Sequence, residues 1–144
     1  MSSRPRSKAV ILFWKAHRWI YKASGGRIGE KFGGANNLLL TTTGRKSGLP
    51  RDIAIYYFEI DGKIVIIGSN LGHEQHPAWF LNLKAKPEVI VQIGTEVTPM
   101  IAREAEGEER EHLWNELISF AGDYAKYEAL TQRRIPVVVL EDLE

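Results

Sequence analysis

Apolar residues in this chain come mostly in short runs separated by turn residues, a pattern typical of β-strands. The run from Ile64 to Ile67 is apolar at every position. We therefore expect that strand to be buried on both faces, as in a barrel wall. Asp61-Gly62 is a strong hairpin signal. The pattern predicts six strands, over 38–43, 51–60, 63–69, 88–93, 96–103 and 135–141.

Longer amphipathic or proline-bounded segments predict helices over 78–85, 107–120 and 123–130. Pro77 is placed to begin the first helix and Pro87 to stop it, while Asp123 is placed to cap the last one. These elements predict a mainly β or α+β fold. Its core is a small antiparallel barrel of about six strands, with peripheral helices.

The first 35 residues differ from the remainder. Residues 1–29 carry only basic charges and no acid, and segment 7–23 has nearly helical apolar spacing with Trp14 and Trp19. We predict a basic amphipathic helix and a glycine-rich connection over 1–35, followed by the domain over 36–144. The helix either lies on an anionic membrane surface or packs on the domain with its cations solvated. Nucleic acid is not expected as a partner, because the basic stretch is short and the remaining chain is acidic.

Composition narrows the class of protein further. The 144 residues include no cysteine, which excludes disulfides, thiolate metal sites and a cysteine nucleophile. No apolar run is long enough to span a bilayer, and no secretory signal is recognisable. We expect a cytoplasmic protein, with peripheral contact at the inner face of the cell membrane if segment 7–23 binds lipid.

The segment from Thr41 to Arg51 carries the clearest candidate chemistry. Its two glycines allow a tight bend that exposes backbone N–H groups, and Arg45, Lys46 and Arg51 bring three cations to one loop. Such a loop suits a phosphate or carboxylate ligand. It lacks the spacing of a nucleotide-binding Walker loop. The alternative is an ordinary polar hairpin turn with surface cations.

Other candidates are weaker when taken singly. Ser69 ends a predicted strand and could present a hydroxyl or N–H group to a ligand. Trp79 and Asn82 share one helix face that would suit a flat heteroaromatic ring, and Tyr124 and Tyr127 share another; packing explains both pairs equally well. The histidines of segment 73–76 lack the spacing of a zinc site, so no metal is expected.

Several motifs in order, however, resemble the deazaflavin-dependent nitroreductase family. The resemblance spans about residues 36–141. It rests on Thr-Thr-Gly-Arg-Lys-Ser-Gly at 42–48, Pro-Arg at 50–51, His-Pro-Ala-Trp at 76–79, Asn-Leu at 82–83, Pro-Glu-Val at 87–89 and Arg-Ile-Pro-Val-Val at 134–138. It implies a split β-barrel related to the pyridoxamine-phosphate-oxidase fold. It also implies an actinobacterial-type oxidoreductase that uses coenzyme F-420 (8-hydroxy-5-deazaflavin).

The resemblance also implies roles for individual residues. The loop would hold the phosphate and polyglutamate tail of the coenzyme, the second strand would line a channel, and small Gly68 would let the ring approach closely. The cofactor-binding residues implied are Thr43, Gly44, Arg45, Lys46, Ser47, Arg51, Ile53, Ala54, Tyr56, Ile67, Gly68, Ser69, Asn70, Trp79 and Asn82. The catalytic candidates implied are Ser69, Tyr124 and Tyr127.

The implied reaction is hydride transfer from the reduced coenzyme to a small electron-poor acceptor, such as an enone, a quinone or a nitroaromatic. Two departures put nitroimidazole reduction in doubt: a third pocket tyrosine of the family corresponds to Ala121, and a frequent lysine corresponds to Asn70. An FMN-dependent enzyme of the same fold and a non-enzymatic coenzyme or lipid carrier remain as alternatives. The oligomeric state is left open.

Overall fold

The computed structural model describes residues 36–143. Seven antiparallel strands form one sheet in the order β2-β1-β5-β6-β7-β4-β3. The strands are β1 (Asn37–Thr43), β2 (Pro50–Tyr56), β3 (Phe58–Ile60), β4 (Lys63–Ile67), β5 (Glu88–Ile93), β6 (Glu96–Glu104) and β7 (Val137–Asp142). The helices are α1 (Ala78–Ala85), α2 (Gly107–Phe120) and α3 (Asp123–Leu130).

The predicted strand over 51–60 is two strands, and their break at Tyr57 explains how the sheet curls. Strand β2 pairs only with β1, whereas β3 pairs only with β4. These two strands lie at opposite edges of the sheet. Since a single residue joins them, the sheet must bend until its edges approach, which is the split barrel that the sequence led us to expect. The Tyr57 N–H donates to the Asn36 carbonyl at 3.1 Å.

The core has two layers because β4 and β7 are buried on both faces, as the apolar run from Ile64 to Ile67 predicts. Alternate residues point to opposite sides. Ile66 and Val138 face the barrel interior, which α1 covers with Trp79, Phe80 and Leu83. Val65, Ile67, Val137 and Val139 face outward and pack under α2 against Leu113, Trp114 and Leu117.

Helix boundaries agree with the sequence pattern, but one predicted cap is wrong. Helix α1 follows Pro77, as expected. In α3 the N-cap residue is Gly122, and Asp123 is the first helical residue without a capping hydrogen bond. The Asp123 carboxylate instead lies 3.4 Å from the Lys126 ammonium. An acid in the first turn still complements the helix dipole.

The predicted N-terminal helix over 7–23 and its glycine-rich connection lie outside the described residues. Within 36–143, no helix is long and apolar enough to cross a membrane.

Candidate active site

The loop between β1 and β2 is held in shape mainly by its own groups. The Gly44 N–H donates to the Leu49 carbonyl at 2.8 Å, and the Gly48 N–H donates to the Gly44 carbonyl at 2.8 Å. Gly48 has a φ of 74°, a left-handed value that favours glycine. A Cβ at Gly44 would lie 2.7 Å from the Ser47 hydroxyl oxygen. Both glycines are therefore required by the turn itself.

Asn82 of α1 fastens this loop to the barrel. Its side-chain oxygen accepts from the Arg45 backbone N–H at 3.1 Å and from the Arg45 guanidinium at 2.9 Å. Its amide nitrogen donates to the Thr42 hydroxyl at 3.2 Å. The residue is only 4% exposed. Because its oxygen already serves Arg45, Asn82 acts chiefly on the position of the loop.

The loop cations face a small cavity of about 310 Å³. Arg45, Lys46 and Arg51 are exposed, and within the described chain none of them lies in an ion pair with an acid. Arg51 reaches the Ser47 hydroxyl oxygen at 3.4 Å. The predicted residues that line this cavity are Gly44, Arg45, Lys46, Ser47, Arg51, Ile53, Trp79 and Asn82. Asp52 also lines this cavity; its carboxylate accepts from the Thr41 hydroxyl at 2.6 Å. Because three cations outnumber this one acid, the cavity suits an anionic group.

A larger cavity of about 1180 Å³ lies beside it, and the two share Arg45, Ile53, Ala78 and Trp79 in their walls. The predicted residues that line the larger cavity are Arg45, Ile53, Ala54, Tyr56, Ile67, Ser69, Asn70, Trp79, Tyr124 and Tyr127. One ligand could therefore place a ring in the large cavity and a charged chain in the small one.

Two predicted residues, Thr43 and Gly68, line neither cavity. Gly68 was expected to let the coenzyme ring approach closely. Instead, a Cβ at Gly68 would lie 3.2 Å from the Pro136 ring, and the Gly68 N–H donates to the Pro136 carbonyl at 3.0 Å. The missing side chain is therefore explained by packing between β4 and the segment before β7.

The aromatic wall of the large cavity is continuous with the outer core. The rings of Tyr124 and Tyr127 lie edge to face with centroids 5.6 Å apart, and Tyr124 packs in the same way on Phe58. Burial, followed by the proximity of Tyr127 and Tyr56, raises the pKa of Tyr124 to about 12. Its hydroxyl stays protonated at neutral pH, so it can donate a hydrogen bond but is a weak acid.

Sequence reasoning missed three residues at this site. Asn37 and His76 line the large cavity, and Arg133 fastens the segment between β4 and α1. The Asn37 amide nitrogen is buried and has no hydrogen-bond partner within 36–143. His76 could have been suspected from its place in the His-Pro-Ala-Trp motif. No local signal marks Arg133, because its partners lie about sixty residues earlier in the chain.

Two side chains of segment 73–76, those of Glu74 and His76, have polar contacts among the described residues. The Glu74 carboxylate accepts from the Thr131 hydroxyl at 2.8 Å. The nearest polar neighbour of His76 is the Arg133 guanidinium, 3.1 Å from Nδ1. Among residues 36–143, no group of three acidic, histidine or cysteine side chains could hold a metal ion.

Comparison with known proteins identifies the family. The sequence model of the F420H(2)-dependent quinone reductases matches residues 13–142. The chain belongs to this family. The match confirms the predicted deazaflavin-dependent reductase, its coenzyme and its hydride-transfer chemistry, and it favours neither FMN nor a carrier role. Quinone reductase describes the family more closely than nitroreductase does.

Individual relatives agree with this assignment. An F420H(2)-dependent quinone reductase of Mycobacterium tuberculosis strain H37Rv is 36% identical over 132 residues, which cover 88% of this chain and 87% of that protein. A solved F420-H2-dependent reductase, FDR-A, is 44% identical, with a TM-score of 0.65 over 73% of this chain and 93% of its own. A solved domain-swapped dimer is 37% identical, with a TM-score of 0.68, and the match covers 89% of this chain and 97% of that chain.

The residues at the two cavities fit the coenzyme of the quinone reductase family. The coenzyme carries a flat ring joined to a phosphate and a chain of carboxylates. The small cavity offers three cations, and the large cavity offers an aromatic wall and the Asn37 amide; within 36–143 none of the cations is in an ion pair and the Asn37 amide nitrogen has no hydrogen-bond partner. The charges and hydrogen-bond donors present are therefore of the kind that this coenzyme needs.

Proposed function

We propose that this protein reduces a quinone with reduced coenzyme F-420 bound across the two cavities. The observation that carries the proposal is the shared wall between a cationic cavity and a larger aromatic one. The bound coenzyme supplies a hydride, and the quinone, on taking up that hydride and one proton, becomes a hydroquinone.

The cationic loop contributes binding and orientation. We assign Lys46 and Arg51 to the phosphate and carboxylates of the coenzyme, with Arg45 held by Asn82 at the junction of the cavities. Charge-assisted contacts of this kind contribute about 1.5–3 kcal/mol each. Because the loop is anchored to α1 through Asn82, its cations are set at a fixed distance from Trp79 on the same helix. Binding of the tail thus positions the ring.

The tyrosine wall serves the acceptor. Tyr124 and Tyr127 come from α3, and Tyr56 of β2 lies near Tyr124 in the same cavity. We assign these hydroxyls and that of Ser69 to hydrogen bonds with the quinone oxygen on which negative charge develops. The high pKa of Tyr124 makes it a hydrogen-bond donor to that oxygen and a poor proton source. The Ser69 hydroxyl is a weaker acid still, so the proton that completes the hydroquinone comes from another tyrosine or from solvent.

The test is turnover with matched coenzymes and acceptors. Purified protein is given reduced F-420, reduced FMN or NADPH together with a short-chain quinone, an enone or a nitroaromatic, and coenzyme oxidation is followed. With the quinone present, we expect oxidation of reduced F-420 and not of reduced FMN or NADPH. Oxidation of reduced FMN with tight FMN retention would favour the flavin alternative, and F-420 binding without acceptor-dependent oxidation would favour the carrier.

Lys84→Ala is a suitable control variant for this assay. Its ammonium lies 3.0 Å from the Glu104 carboxylate and lines neither cavity. Removing this cation should change neither binding nor turnover, whereas removing a loop cation should weaken binding.

A further inference from the structure

The segment between β4 and α1, residues 68–76, is held in an unusual backbone conformation beside the large cavity. Asn70 and Leu71 have φ values of 46° and 54°, which are unfavourable for residues other than glycine. Both line the cavity. Two consecutive left-handed residues without glycine persist only when neighbouring groups hold them there.

Arg133, in the connection between α3 and β7, supplies most of that restraint. Its Nε–H donates to the His73 carbonyl at 2.9 Å, its Nη1 to the Gly68 carbonyl at 3.1 Å and its Nη2 to the Ser69 carbonyl at 2.8 Å. These three carbonyls lie over residues 68–73, and the Asn70 side chain adds a bond to the Gln75 carbonyl at 2.9 Å. One guanidinium therefore restrains the backbone over 68–73.

The same guanidinium also decides the protonation of His76. Arg133 Nη1 lies 3.1 Å from His76 Nδ1. A guanidinium has only donors, so Nδ1 must accept and cannot carry a proton. The ring is then neutral, with its proton on Nε2. Burial, followed by the charge of Arg133, lowers the pKa of His76 against a smaller opposing effect of Glu104.

The orientation of the imidazole is restrained on a second side. Its centroid lies 4.9 Å from that of Phe80, at a tilt of 52°. His76 lines the large cavity. Within the described residues, the Nε2–H has no hydrogen-bond partner, and it is not among their buried unpartnered atoms. It therefore remains accessible to a ligand.

We propose that His76 donates a hydrogen bond from Nε2–H to a carbonyl or anionic oxygen of the ligand in the large cavity, with Arg133 as the positioning residue. The inference rests on the proposed function. Two ligands could supply the oxygen: the coenzyme ring or the quinone. The experiment distinguishes them by measuring coenzyme binding and acceptor use separately.

Two substitutions at His76 form a matched pair. In His76→Asn, the side-chain oxygen can take the place of Nδ1 as acceptor for Arg133, but the amide stops short of Nε2. In His76→Gln, the longer side chain can bring an amide N–H near the position of Nε2. We expect His76→Asn to raise either the coenzyme Kd or the quinone KM about five- to tenfold, and His76→Gln to recover most of the loss.

The affected constant identifies the ligand: coenzyme Kd for the ring, quinone KM for the acceptor. If His76→Asn has the same coenzyme Kd and quinone KM as the wild type, and the wild type reduces the quinone, the His76 inference is wrong and the proposed function stands. If the wild type binds the coenzyme without oxidising it, the proposed function fails instead. Melting temperatures of the variants establish that each is folded.

A spectroscopic readout tests the tautomer without turnover. In ¹⁵N-histidine-labelled protein, with His76→Asn used to assign the resonance, we expect His76 to be neutral and protonated at Nε2. Arg133→Lys keeps the positive charge but loses the planar set of guanidinium N–H donors. It should therefore weaken the preference for the His76 tautomer protonated at Nε2. Coenzyme and quinone are then added one at a time, and the ligand that accepts the bond should shift the Nε2–H signal. A proton on Nδ1, or no shift with either ligand, would overturn the proposal.

Discussion

Two groups of basic residues in this protein have opposite surroundings. Arg45, Lys46 and Arg51 line a cavity, and the ion pairs of the described residues include none of them. On the other side of the barrel, Lys63 and Arg103 contact the Glu109 carboxylate at 3.0 and 2.6 Å. Arg103 also contacts Glu141 at 3.0 Å.

The difference separates binding charges from structural ones. The Glu109 network joins α2 to β4, β6 and β7, so its cations are compensated within the fold. Hydrogen bonds from Arg103 and then Lys63 lower the pKa of Glu109 to about 2. Among residues 36–143 the loop cations form no such ion pairs, and we expect the ligand to bring the compensating charge. Four variants test this comparison.

The largest effect is expected from removing two loop cations together. Lys46→Ala combined with Arg51→Ala should raise the coenzyme Kd at least about 100-fold, because each lost charge-assisted contact is worth about 1.5–3 kcal/mol. Wild-type affinity should also fall more steeply with added salt than that of the variant. The measurement is fluorescence titration of the coenzyme at two ionic strengths. Unchanged affinity in the double variant would show that the loop is only a polar turn.

Asn82→Asp gives one loop cation the acidic partner that it lacks. The new carboxylate would lie at the position now 2.9 Å from the Arg45 guanidinium. It would cancel part of the positive charge and keep both bonds from Arg45. The bond that Asn82 donates to Thr42 would be lost, but the Thr42 hydroxyl can donate to the carboxylate instead. We expect a Kd increase of about tenfold, equivalent to about 1.4 kcal/mol, with no loss of thermal stability. An unchanged Kd would mean that the net charge of the loop does not govern affinity.

Glu109→Gln makes the opposite change in the structural network, leaving Lys63 and Arg103 without their shared acid. The expected loss is about 1 kcal/mol of unfolding free energy at pH 7, since the pairs are partly exposed to solvent. Because the folded-state pKa is depressed, the stabilisation by Glu109 is present above its unfolded value near 4.5 and disappears as the pH falls toward 2.

Denaturant unfolding of wild type and Glu109→Gln between pH 2 and 7 measures this difference directly. The two curves should converge at the acidic end. Coenzyme affinity at pH 7 should be the same in both proteins, and a weaker affinity in Glu109→Gln would contradict the division into structural and binding charges.

The smallest effect is expected from Tyr127→Phe, which leaves both groups of cations intact. Loss of one hydroxyl from the aromatic wall should lower kcat/KM for a quinone severalfold, within about 1 kcal/mol. Coenzyme Kd should not change. Steady-state kinetics at saturating coenzyme separates the two quantities; weaker coenzyme binding with unaltered quinone kinetics would reassign Tyr127 to the coenzyme.

Local sequence was sufficient for most of the strands, for the three helices and for the cationic loop. Whether an apolar run alternates or is continuous reflects the burial of one or both faces of the strand. Turn residues act over only two or three positions, so both signals are local. The double burial of β4 could thus be predicted from Ile64 to Ile67. The same reasoning made Asp123 the N-cap of α3, whereas the N-cap is Gly122 and Asp123 is the first helical residue. Whether an acid at the start of a helix caps it depends on the conformation of the backbone before it.

What the sequence by itself determined was therefore the alternation of elements, the position of the cationic loop and, through its motifs, the family. Only the tertiary structure decided that segment 51–60 divides at Tyr57, that the Pro136 ring crowds the position of a side chain at Gly68, and that Arg133 holds the backbone next to His76. The physical reason is sequence separation. Sheet closure, close packing and a guanidinium clamp join groups that are far apart in the chain, and no local pattern records such contacts.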